Sequence, residues 1–213
     1  MSKSISILSA LGCTFIWGTT FIAQDTGMEF IGPYLFNGVR FFVGFLVLLP
    51  FFLYFEKKNI KKELVKDSNE FFKYTLLIGL FLFLGSALQQ ISLQFTDVAN
   101  AAFFTIFYVP MVPIIVFFLF KEKIHWSNWP SVILCLLGGY LLTNFYDATI
   151  RKGDALVVLC AVFWALHIIY VGKVIKTFNL PILIGLIQTL VVSILSIIGA
   201  VVFEEINIDG IFK

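Results

Sequence analysis

Seven runs of about twenty predominantly apolar residues divide the chain, and each is long enough to cross a bilayer core as a helix. They lie near Ile5–Ala23, Pro33–Phe55, Phe71–Phe95, Ala99–Phe120, Trp126–Tyr146, Asp154–Lys173 and Ile182–Phe203. Runs this long, without two-residue alternation, exclude barrel strands. Only 13% of the 213 residues are charged and 60% are hydrophobic. A water-soluble domain of this length has no way to hide so much apolar surface, so lipid must cover much of it. The expectation is an all-α integral membrane protein, a helical bundle of about seven transmembrane helices. The first run exceeds a signal peptide's apolar core, and Trp17 and Phe21 stand where small cleavage-site residues would be needed, so it reads as a retained helix.

Loop charges give the orientation. With the N-terminus inside, the inner segments hold Lys3, Lys57, Lys58, Lys61, Lys62, Lys66, Lys73, Lys121, Lys123, Lys173 and Lys176. The outer segments hold Arg151, Lys152 and Lys213. The positive-inside rule therefore predicts a cytoplasmic N-terminus, and seven spans put the C-terminus outside. The basic stretch from Glu56 to Glu70 reads as a topology determinant rather than a nucleic-acid patch. Cys13, Cys135 and Cys160 fall inside spans, show no metal spacing, and read as small packing residues.

The chain repeats itself. "CTFIWGTTF" places Trp17 four residues after a cysteine, and "CAVFWALHI" does the same for Trp164, 147 residues later. The second run opens at Pro33 and reaches Arg40 after seven residues; the last opens near Pro181 and reaches Gln188 after seven, an offset of 148. One shared offset predicts a duplicated unit of about five helices, residues 1–147, followed by the first two helices of a second unit, residues 148–213. An odd helix number makes the second unit enter the membrane from the opposite side. That is the inverted repeat of secondary transporters. A complete second copy would reach about residue 295, so the expectation is a fragment, a truncated product, or a half-sized protein that needs a partner. Self-association is one way to cover the exposed surfaces.

"LQFTDVANAAFFTIFYVPMVPIIVFFLFKEKIHWSNWPSVILCLLGGYLL" (Leu93–Leu142) resembles the third-to-fifth helix region of the EamA family of the drug/metabolite transporter superfamily. "FIWGTTFIA" (Phe15–Ala23), "PYLFNGVRF" (Pro33–Phe41) and "GDALVVLCAVFWAL" (Gly153–Leu166) resemble that family's first helix, second helix and second-repeat start. The resemblance implies a ten-helix permease architecture. It also implies transport of small metabolites such as amino acids across the cytoplasmic membrane by alternating access. Two features depart from the family: Lys121-Glu122 stands where it usually has Gly-Glu, and three helices of the second repeat are absent. The alternative is a non-transporting remnant or an interaction subunit of a related permease.

Within the spans a few polar and aromatic residues are candidates for a substrate cavity or gate. Arg40 lies roughly 10 Å below its helix end at 1.5 Å per residue. A charge in hydrocarbon costs about 2.5–3.5 kcal/mol, so Arg40 is expected inside the bundle. There it either meets an anionic group such as a substrate carboxylate as a forked donor, or is satisfied structurally. Trp17 and Trp164 fall near the midplane and either line a cavity or pack. Gln89 and Gln90 on the third helix, Asn100 and Tyr108 on the fourth, and Gln188 on the seventh either bind substrate or tie helices together. Tyr108, Pro110 and Pro113 predict a broken or bent fourth helix. His167 is a conceivable proton carrier but reads more simply as a neutral hydrogen-bonded histidine. Asp154 is expected to favour a helix N-terminus. No metalloprotease, nucleophile-elbow, P-loop or dinucleotide motif is present, so no catalytic residues, cofactor or metal are expected. The expected partners are a small-molecule substrate and the lipid bilayer, with no nucleic acid.

Overall fold

A computed structural model describes residues 3–65, 67–121, 123, 125–126, 128–142 and 151–205. Nine α-helices are described: α1 (Lys3–Gly27), α2 (Pro33–Phe51), α3 (Ile60–Leu64), α4 (Ser68–Ser92), α5 (Val98–Thr105), α6 (Tyr108–Phe120), α7 (Asn128–Leu142), α8 (Lys152–Phe178) and α9 (Pro181–Phe203). Among the described residues there are no strands. Among the described residues six stretches are long and apolar enough to span a membrane: α1, α2 extended to Glu56, α4, α5 with α6, α8 and α9. The run expected over Trp126–Tyr146 appears as the 15-residue α7, about 22 Å long at 1.5 Å per residue. The rest of that run, from residue 143, lies outside the described residues.

The fourth expected span is broken four residues before Pro110, while Pro113 lies inside the second piece. Pro110 and Pro113 have no N–H to give a preceding carbonyl. The helix stops at Thr105 and restarts at Tyr108. Across the break, Val109 N–H donates to Ile106 O at 2.9 Å. Cys135 Sγ of α7 approaches the same oxygen at 4.0 Å. Asn100 and Tyr108, expected on one fourth helix, therefore sit on two separate helices.

α2 packs most extensively on α9, and α4 on α8; α4 also contacts α9. Two apolar clusters hold the ends of the bundle. One gathers Phe71, Ile78, Val174, Phe178, Leu180 and Ile184 from α4, α8 and the start of α9. The other gathers Leu93, Ala101, Val157 and Cys160, with Phe21 and Trp164 packed against it. At that second end Asp154 caps α8, as expected from its position. Its Oδ2 accepts from Arg151 N–H at 2.7 Å, and its Oδ1 accepts from Thr96 Oγ1. Arg151 also pairs with Asp97 at 2.5 Å.

α2 and α9 are antiparallel partners with matching ends. Each starts with a proline at its first turn, where a missing N–H costs nothing. Neither N-cap residue, Gly32 or Leu180, offers a side-chain acceptor to the free amides behind it. The acceptors come from the far end of the other helix. Glu204, just past α9, accepts from Tyr34 N–H at 2.6 Å and Leu35 N–H at 3.0 Å. Glu56, at the end of a wide π-type turn continuing α2 (Phe52–Glu56), accepts from Ile182 N–H at 2.9 Å and Leu183 N–H at 2.8 Å. A carboxylate at a helix start also meets the favourable end of the dipole. Gly32 permits the first approach, because a Cβ there would collide with the Glu204 carboxylate. Tyr34 stacks on Phe203 beside it, with ring centroids 5.8 Å apart. Between the two ends, Ser193 Oγ donates to Gly38 O at 3.0 Å.

α6 ends at Lys121, which takes the left-handed conformation (φ 55°). A glycine fits that position without a Cβ penalty. Lys121 thus holds a backbone geometry that glycine adopts freely. Lys121→Gly is expected to raise stability by about 1 kcal/mol, read as a higher midpoint of thermal unfolding in mild detergent. An unchanged or lower midpoint would refute it.

Candidate functional site

Five of the sequence candidates form one continuous group. Trp17 of α1 and Trp164 of α8 meet with ring centroids 5.4 Å apart, tilted by 57°. Trp17 also lies 6.2 Å from Tyr108, the first residue of α6. The break before Tyr108 thus sets its ring against Trp17. One turn beyond Trp164, His167 stands edge-on to it at 5.9 Å. His167 Nε2 lies 2.8 Å from Gln188 Oε1 of α9. An amide oxygen only accepts, so Nε2 carries the proton in this arrangement. The group joins α1, α6, α8 and α9, which draws on both halves of the chain.

Two buried polar atoms of this group, Trp164 Nε1 and His167 Nδ1, have no hydrogen-bond partner among the described residues. Most buried polar groups in folded proteins are paired. An indole donor and an imidazole nitrogen left open beside aromatic rings suit a small molecule with both apolar and hydrogen-bonding parts.

The glutamines of α4 act between helices. Gln89 Nε2 donates to Thr105 Oγ1 at 2.9 Å, and Gln90 Nε2 donates to Gln24 O at 3.2 Å. Both side chains are buried. Their bonds tie α4 to α5 and α1. Asn100 is half-buried in the first turn of α5.

Arg40 is half-buried on α2 and contacts its own helix. Nη2 donates to Asn37 Oδ1 at 2.6 Å, and the guanidinium carbon lies 5.0 Å from the centre of the Phe41 ring and 5.6 Å from that of Phe36. Among the described residues no carboxylate pairs with it. A guanidinium has five N–H donors, so one amide and two ring contacts leave it free to bind an anion. Asn37 escaped the sequence reading, although its place three residues before Arg40 puts it on the same helical face. Gln24, Thr105, Glu56 and Glu204 also escaped it. Among the described residues no group of three or more His, Cys, Asp or Glu side chains could hold a metal ion.

Comparison with known proteins gives a transporter family. The sequence profile of the EamA-like transporter family matches residues 4–144. An uncharacterized transporter of Archaeoglobus fulgidus is 31% identical over 181 residues, covering 85% of this chain and 53% of the relative. The uncharacterized transporter YoaV of Bacillus subtilis is 28% identical over 166 residues, covering 75% of this chain and 54% of the relative. The chain thus spans about half the length of the curated relatives it matches. No solved structure gives a significant match.

Proposed function

The chain belongs to the EamA-like transporter family and is a multi-pass membrane protein, and from that premise we propose that it serves secondary transport of small polar metabolites such as amino acids. Transport runs across the cytoplasmic membrane by alternating access between two inverted units, residues 1–147 and 148–213. The observation that carries this reading is the reciprocal capping of α2 and α9. Pro33 and Pro181 lie 148 residues apart, and so do Glu56 and Glu204. Each helix's final carboxylate holds the other's first amides. Two antiparallel helices related in this way are what an inverted duplication produces. The Trp17–Trp164 pair, one ring from each unit at nearly the same offset, supports the same reading. The substrate meets the Trp17–Tyr108–Trp164 rings with its apolar part. Arg40 serves its anionic group as a gate or cavity residue. The N-terminus faces the cytoplasm, as the loop charges favour.

The test is uptake and efflux of pooled labelled amino acids and metabolites in vesicles containing the chain. Accumulation of at least one compound above protein-free vesicles is expected. A folded, correctly inserted chain that moves none of them would overturn the reading in favour of a non-transporting subunit.

A further inference from the structure

The two reciprocal caps lie at opposite membrane faces of one helix pair. At one face Glu204 holds Tyr34 and Leu35; at the other Glu56 holds Ile182 and Leu183. Each is a charged acceptor taking two backbone hydrogen bonds, which is stronger than a neutral pair. Neither helix start has a local substitute, since Gly32 and Leu180 provide no side-chain cap. α2 belongs to the first unit and α9 to the second, so these bonds cross the seam between the parts that alternating access must move.

We propose that Glu56 and Glu204 are positioning residues acting as two face-specific latches: separation of α2 from α9 at one face releases that face's carboxylate while the other cap serves as the hinge. This rests on the transport reading above and extends it to the moving parts. The geometry favours splaying at one end over scissoring about the middle. Scissoring would break four charge-assisted hydrogen bonds at once, two at each face. Splaying at one end breaks two. The amides and the carboxylate freed at that end can then be hydrated by water at the membrane surface.

The two latches are unequal. Glu56 is 7% exposed. Glu204 is less buried and lines a cavity of about 200 Å³ that also touches Gly32, Leu35 and Glu205. Glu204 lines that cavity and is the more exposed carboxylate, so its release carries the smaller desolvation difference. The Glu204 face therefore opens more readily.

Spin-label distances at each face test this in the 213-residue chain reconstituted in lipid vesicles. The background carries Cys13→Ser, Cys135→Ser and Cys160→Ala. One label pair, Lys57→Cys with Lys176→Cys, reports the Glu56 face. The other, Phe30→Cys with Glu205→Cys, reports the Glu204 face. All four positions are exposed. Glu56→Gln is expected to add a longer distance component to the first pair only, and Glu204→Gln to the second pair only. Loss of one net charge-assisted bond corresponds to about a tenfold rise in the open-to-closed ratio at that face. Glu56→Asp and Glu204→Asp keep the charge but shorten the reach, and give the same pattern where a glutamine variant does not fold. A variant that shifts both pairs equally, or neither, overturns the proposal. So does unfolding of all four variants, which would make the carboxylates plain structural caps. The distances are read whether or not the chain transports. Face-specific shifts without uptake would sink the transport reading alone, and uptake without such shifts would sink the latches alone.

Discussion

Arg40→Ala is expected to lower transport about 10- to 100-fold in reconstituted vesicles, with insertion and helix content unchanged. Hydrogen bonds to charged groups contribute about 1.5–3 kcal/mol, and 1.4 kcal/mol is a factor of ten. Arg40 has one side-chain amide partner, Asn37. Under the proposed reading, its other donors serve an anionic substrate group. Arg40→Lys keeps the charge but loses the planar fork, so an intermediate loss is expected. Arg40→Met separates a functional arginine from a structural one. It retains length and apolar bulk, so it should keep the unfolding temperature near that of the parent and still lose transport. If Arg40→Met restores uptake, the arginine serves packing and not an anionic substrate group.

Gly153→Val is expected to destabilise the bundle by about 3 kcal/mol, at the upper end for overpacked sites. A Cβ on Gly153 would stand 2.7 Å from Ser92 O, 2.8 Å from Phe95 C and 2.9 Å from Thr96 Cβ. Two of these three atoms are backbone, so no side-chain rotation relieves the clash. The start of α8 would be driven off the end of α4, and with it Asp154, which holds Thr96 and the Arg151 amide. Gly172 is the control on the same helix. Nothing lies within 4 Å of its Cβ position, so Gly172→Ala should be neutral or gain up to about 1 kcal/mol from helix propensity. Thermal unfolding in mild detergent reads both. A Gly153→Val protein that melts like the parent would mean that α8 does not seat against α4 in this way.

The apolar runs were legible because lipid imposes a length and a composition on every spanning helix. The aromatic pair was legible because Trp17 and Trp164 stand in similar local sequences. The broken fourth helix was expected from its prolines, which lack an N–H. The end-to-end caps left no such mark. Glu56 reads as the edge of a lysine-rich loop and Glu204 as part of an acidic segment, because their partners are backbone amides. Every residue except proline carries an amide, so a carboxylate that binds one from far along the chain has no complementary residue type to reveal it. The equal spacing from Pro33 to Glu56 and from Pro181 to Glu204 was the available signal. The glutamines show another limit. Gln89 and Gln90 carry the same side chain, yet the structure spends their amides on Thr105 and on the Gln24 carbonyl. Whether an amide faces a cavity or a neighbouring helix depends on packing that a single sequence does not encode locally.

Capping each helix by the other turns the pair into a ruler. The stretch from Pro33 to Glu56 holds 24 residues, about 36 Å at the helical rise, slightly more than a hydrocarbon core of about 30 Å. Both carboxylates must arrive at the right height and on the right side of their helices. α2 meets that demand by widening its last turn, and α9 by leaving the helix at an extended Glu204. Substituting a lipid-facing residue of α2 leaves this count intact. Inserting or deleting a single residue would swing Glu56 by about 100° around the axis, since a helix turns once every 3.6 residues. Length, more than composition, is the property of these two helices that mutation is least free to alter.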